Sequence, residues 1–115
     1  MAELLVEGDE LVVRLRGVEK AEGVHGDIRV PLSTLVHVEV VDDAIHQVHG
    51  IRVGTGIPGS TAVGTFTTRT VKMFAAVHHD TPRAVLVTLS GAAFDQLLIG
   101  TADPETVVAS LPATP

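Results

Sequence analysis

Leu11, Val13 and Leu15 alternate with Val12, Arg14 and Arg16. The same two-residue period returns farther on, where Val36, Val38 and Val40 face away from Leu35, His37, Glu39 and Val41. This period puts successive side chains on opposite faces of an extended chain, so both stretches predict β-strands. Leu4 to Val6 and Leu11 to Arg16 flank Gly8-Asp9, a two-residue hairpin turn in which glycine tolerates positive φ. Asp27 to Val30 reads as a short strand ended by Pro31. Ile51-Arg52-Val53 reads as a strand entering a glycine-rich loop, Gly54-Thr55-Gly56-Ile57-Pro58-Gly59. Thr61 to Thr68 and Val71 to His78 form a hairpin around Arg69-Thr70. Arg83 to Ser90 and Phe94 to Gly100 form another around Gly91-Ala92-Ala93.

Helical signals are few. Asp103 is a good N-cap, Pro104 suits the first helical position, and Val107, Val108 and Leu111 supply a narrow apolar stripe, which predicts one helix over 103–111. Residues 112–115 are expected to fray. Residues 17–23 read as one or two helical turns between glycines, and 42–50 as a helical turn capped by Asp42 or Asp43. The expected class is mainly β with one C-terminal helix, in a single domain over 1–115.

Several strands are apolar on both faces. Val71, Met73, Ala75 and Val77 lie opposite Lys72, Phe74 and Ala76. One face fills the interior, so the other must be covered by the helix, the short insertions or another subunit, and a homo-oligomer is expected.

Composition narrows the partners. Phe66, Phe74 and Phe94 are the only aromatic residues, so the core must be aliphatic. Fourteen acidic residues against eight basic ones give a net charge of −6. That balance opposes nucleic-acid binding, which needs a basic face, and opposes docking on anionic membranes. No cysteine is present, which excludes disulfides, thiolate nucleophiles and zinc–thiolate sites. Met1 to Glu7 has neither a basic start nor a long apolar run, and no segment approaches the ~20 apolar residues of a membrane span. A cytoplasmic protein is expected. Six histidines on a background of −6 would bring the charge toward zero below their reference pKa of ~6.5, which ties solubility or an interface to mildly acidic pH.

Candidate chemistry is sparse. Residues 54–59 match G-x-G-x-x-G, but Pro58 falls inside the motif and strand-like sequence follows, where a dinucleotide site needs a helix start. The glycines suit a tight irregular crossing between strands, or a small-anion cradle beside Arg52. His46 and His49 are spaced i, i+3, as two metal ligands on one helical face would be, and His78-His79 is a second cluster. The ligand-binding candidates are therefore His46, His49, Arg52, Gly54, Thr55, Gly56 and Gly59, with His46, His49, His78 and His79 as an alternative metal set. His37 and Glu39 share one strand face. Ser33, Ser60 and Ser90 lack a nucleophile-elbow context, Asp42-Asp43 reads as a cap, and no catalytic residue or cofactor is assigned.

The run Val30-Pro31-Leu32-Ser33-Thr34-Leu35-Val36-His37-Val38-Glu39-Val40 resembles the P-L-S-x-I-x-x-V-x-V strand of bacterial pleckstrin-homology-like (PH-like) domains. Leu97 to Glu105 resembles their last strand and D-P-E helix start. The likeness runs loosely from about Leu4 to Leu111. It implies an open, strongly bent antiparallel barrel of about seven strands, with short helical insertions and a helix across the open end. It also implies a binding module for lipids, peptides or other subunits, often homo-oligomeric. Phosphoinositide-binding members carry a basic loop between the first two strands. Here that loop is Glu7-Gly8-Asp9-Glu10, so phosphoinositide binding is not expected. The sequence thus predicts a non-enzymatic binding or assembly module that self-associates and takes a protein, peptide or small ligand. A small metal- or ligand-dependent enzyme using the histidines, or a purely structural subunit, are the alternatives.

Overall fold

The computed structural model describes residues 2–15, 26–48, 51–57, 61–78 and 80–112. In chain order the strands are β1 (Glu3–Glu7), β2 (Glu10–Arg14), β3 (Ile28–Pro31), β4 (Leu35–Val41), β5 (Ile51–Ile57), β6 (Thr61–Thr67), β7 (Lys72–His78), β8 (Ala84–Leu89) and β9 (Gln96–Gly100), followed by helix α1 (Pro104–Ser110). Single 3-10 turns at Leu32–Thr34 and Ala44–Gln47 precede β4 and β5. The protein is therefore mainly β with one C-terminal helix, as its patterning predicts. The predicted turns at 17–23 lie outside the described residues.

The strands do not bend into one seven-stranded barrel. They form two sheets, β1-β2-β3 and β4-β8-β9-β7-β6-β5. The first hairpin turns on Gly8 at φ 60°, with Glu7 opposite Glu10. The closing hairpin pairs β8 with β9 antiparallel, but β9 inserts beside β7 and runs parallel to it, from Met73↔Gln96 to Ala76↔Ile99. One pairing in the larger sheet is thus parallel, against the expectation of a wholly antiparallel one.

The main core lies between the sheets. Leu11, Val13, Ile28 and Val30 from the small sheet meet Phe74, Val85, Val87, Leu97 and Ile99 from the large one. Each such side chain stabilises by about 1.5–3 kcal/mol when fully buried. Phe74 and Phe94 meet edge to face, 5.9 Å between centroids, with the Lys72 ammonium 5.2 Å from the Phe94 ring. Helix α1 packs on β1, β4 and β8.

A second cluster sits on the other face of the large sheet. Met73, Ala75, Val77, Ala62, Phe66 and Leu98 are capped there by Ala44, with Ile45 and Val48 against them. The insertion after β4 thus covers the face that the sequence left open between helix, insertion and neighbouring subunit. The Ala44 N–H donates to the Pro82 carbonyl at 2.8 Å and fixes it there.

Candidate functional site

Arg52, Gly54, Thr55 and Gly56 do not form a loop. They lie inside β5, which pairs with β6 without a register slip from Ile51↔Thr67 to Ile57↔Thr61. The expected cradle of free loop amides is therefore replaced by a strand, and no helix begins at the G-x-G. The physical reason lies across the ladder. Gly54 faces Gly64, with φ of 135° and 145°, a conformation that a Cβ would strain on either strand. The two glycines let the hairpin pass through this conformation without losing register. Gly59 lies outside the described residues.

The histidines are placed separately. His46 sits in the 3-10 turn after β4, largely exposed, and its Nδ1 lies 2.8 Å from the Asp43 carboxylate. Asp43 occupies the cap position at φ 51°, but its side chain engages His46 instead of a backbone amide. His78 ends β7. His49 and His79 lie outside the described residues. Among the described residues no three His, Asp or Glu side chains group as a metal site would require. His37 Nε2 and Glu39 Oε2 do meet, at 3.3 Å, on an exposed stretch of β4.

The four sheet edges formed by the described residues differ in how they meet solvent. β1 packs against α1 and carries Glu3 and Glu7. β3 has four residues and ends at Pro31. β4 is bulged between Leu35 and His37 and carries His37 and Glu39. Short length, charges, proline and bulges all discourage pairing with another chain. β5 has seven residues, one charge (Arg52), no proline and no bulge, and among the described residues no strand pairs with its outer edge. Alternate backbone groups of an edge strand point away from its neighbour, and among the described residues no strand pairs with that half of the β5 amides and carbonyls.

A cavity of about 360 Å³ opens elsewhere, where the start of β1 and the end of β9 meet α1. Ala2, Leu4, Val85, Ile99 and Val107 form its aliphatic wall; Glu3, Thr101 and Asp103 supply its polar groups. A smaller cleft of about 140 Å³ beside Gln47, Phe66 and Met73 falls below the usual ligand-pocket range of about 300–1,000 Å³. Sequence patterning missed the larger cavity, because its walls are core residues from three distant segments. Only Asp103 carried a signal, as a helix cap. It does stand before α1, but its Oδ2 accepts from the Thr106 hydroxyl at 2.7 Å rather than from a backbone amide.

Beside the cavity, Arg83 ties the segment after β4 to α1. Its Nε donates to Asp42 Oδ1 at 2.9 Å, and its two terminal nitrogens grip Glu105 on α1. The Arg83 hydrogen bond holds the Glu105 carboxyl below the usual carboxylate value, and the bonds to Glu105 and Asp42 push the guanidinium pKa up.

No family model matches the chain, and neither a curated protein nor a solved structure matches it. Among the described residues no helix is long and apolar enough to cross a membrane.

Proposed function

We propose that the protein is a non-enzymatic binding and assembly module of PH-like type, acting in the cytoplasm, that self-associates by strand addition at β5. The observation that carries this reading is the seven-residue edge of β5, which no strand pairs with among the described residues and which has no proline or bulge. Main-chain hydrogen bonds across such an edge bind an added strand, and they need no conserved side-chain chemistry.

The partner is a second copy. About Gly54 the β5 sequence is nearly symmetric: Ile51 mirrors Ile57, and Val53 mirrors Thr55. In an antiparallel pair of copies centred on Gly54, isoleucine faces isoleucine and Arg52 faces Gly56, so no like charges meet. That is the self-complementarity a two-fold interface requires. The acidic Glu7-Gly8-Asp9-Glu10 turn and the net charge of −6 favour a protein partner over a phosphoinositide or nucleic acid.

Native mass spectrometry of the untagged protein at tens of micromolar tests the reading. Even multiples of the chain mass are expected; a spectrum of single chains overturns it.

A further inference from the structure

Helix α1 bridges the two sheets, packed on β1 of the small sheet and on β4 and β8 of the large one. Its grip is light. Seven residues make about two turns, too few to hold a helix without neighbours. Within the helix only Pro104 is buried; Val107 and Val108 are half-buried against the core, and Leu111 follows as a buried stop. Among the described residues the helix makes one side-chain tie beyond its own turns, from Glu105 to Arg83. Arg83 also holds Asp42, so this clasp fastens α1 to the segments that flank β4 and β8. All three side chains of the clasp are largely exposed, where water and salt weaken such pairs.

Packing beneath the helix is incomplete. The cavity of about 360 Å³ lies between Val107 and a floor of Leu4, Val85 and Ile99. Close-packed interiors leave few voids larger than a water molecule, so α1 rests on its floor without filling it. Yet the floor is shut off from solvent, with Val85 wholly inaccessible and Ile99 at 1% exposure. The helix contributes no strand pair to either sheet, so it can leave without breaking one. We propose that α1 is a strap that swings off the cavity while both sheets stay folded, and that the Arg83 clasp sets how often it opens. Opening is then the route by which solvent reaches Val85 and Ile99. This device uses no residue of β5 and stands apart from assembly there.

The chain has no cysteine, so one introduced thiol reports on one site. The test is the labelling rate of Val85→Cys with an aromatic disulfide reagent, over urea concentrations below the unfolding transition, with and without Arg83→Gln. Global unfolding of each variant is followed in parallel. A strap predicts labelling that rises with urea much less steeply than global unfolding, because its opening exposes little surface. Arg83→Gln is expected to speed that labelling about two- to fivefold, the range that the loss of an exposed ion pair supplies, and to leave its urea dependence unchanged. Ile99→Cys lies on the same floor and should repeat both results, which guards against a folding fault in one variant. Val77→Cys is equally inaccessible but belongs to the cluster on the other face of the large sheet, and Arg83→Gln should speed its labelling less. The proposal is overturned if both floor cysteines label only with the urea dependence of global unfolding. It is equally overturned if Arg83→Gln leaves their rates unchanged, or speeds Val77→Cys by the same factor.

Discussion

Glu7 faces Glu10 across the first hairpin, and like charges directly opposite destabilise an antiparallel pair. Two arginines on neighbouring strands relieve the clash. Arg29 Nη1 lies 3.0 Å from Glu7 and 3.7 Å from Glu10, and Arg14 Nη2 lies 2.7 Å from Glu7. The Arg29 hydrogen bond is the main reason the Glu7 carboxyl sits below its ordinary value of 4.5. A carboxyl lowered in the folded state stabilises above its unfolded pKa, and that contribution is lost as the pH falls through the folded value. Arg29→Gln is therefore expected to move the Glu7 titration upward, and Arg14→Gln to move it less, as read by carboxyl-carbon NMR. At the same scale, Val36 shows where patterning misleads. Strict alternation puts it inside with Val38, but Leu35 pairs with Leu89 and His37 with Thr88, so Val36 is the extra residue of a bulge. It stands 44% exposed, while Leu35 and Val38 both pack on the core. Nothing in a valine run marks which residue will be extruded. Val36→Ser should change stability by no more than about 0.5 kcal/mol in urea unfolding, whereas Leu97→Ala, at a site with no exposure, should cost about 2–5 kcal/mol.

Elements were legible where local chemistry decides them. The Gly8-Asp9 turn and the hairpin closed by Thr68 and Val71 form from short-range rules, and Asp103-Pro104 marks where α1 begins. The Thr68 N–H donates to the Val71 carbonyl at 2.8 Å, and the Thr68 hydroxyl oxygen accepts from the Val71 N–H at 3.0 Å. β5 was only half legible, because glycines signal freedom of φ without saying whether a partner strand will use it. Gly64, lying within the next predicted strand, was the one clue that the glycines would pair. The parallel β7–β9 contact was not legible, since insertion of β9 between β7 and β8 is a long-range choice with no local marker. α1, at seven residues, is short for an independent helix and depends on its tertiary contacts, with Arg83 as its polar anchor. Arg83→Gln should raise the Glu105 pKa toward its ordinary value and speed amide hydrogen exchange in α1 at neutral pH. In the unmodified protein the anchor weakens on acidification, because the lowered Glu105 carboxyl loses its charge as the pH falls through the folded value. Hydrogen exchange that is identical in the two proteins would show that α1 is held by packing alone.

At the scale of the whole molecule, the two apolar faces of the large sheet have separate covers. One faces the small sheet and the other faces the insertion around Ala44. The double-sided apolar pattern that first pointed to an oligomer is thus accounted for largely within one chain, and the case for assembly rests on the β5 edge instead. That shift changes what is predicted about an interface. A face-to-face oligomer would bury side chains and respond to apolar-to-polar changes, whereas an edge-to-edge dimer has a register. With Gly54 opposite Gly54 of a second copy, Val53 of one chain faces Thr55 of the other. The most direct measurement is sedimentation velocity on Val53→Lys, on Thr55→Glu and on their equimolar mixture. A Val53→Lys/Thr55→Lys double variant, which sets lysine against lysine across the interface, completes the set. Strand addition in this register predicts a monomeric double-lysine variant, and a mixture that forms a heterodimer more tightly than either single variant forms a homodimer. A double-lysine variant that sediments like the unmodified protein, or a mixture no tighter than its components, would contradict assembly through β5.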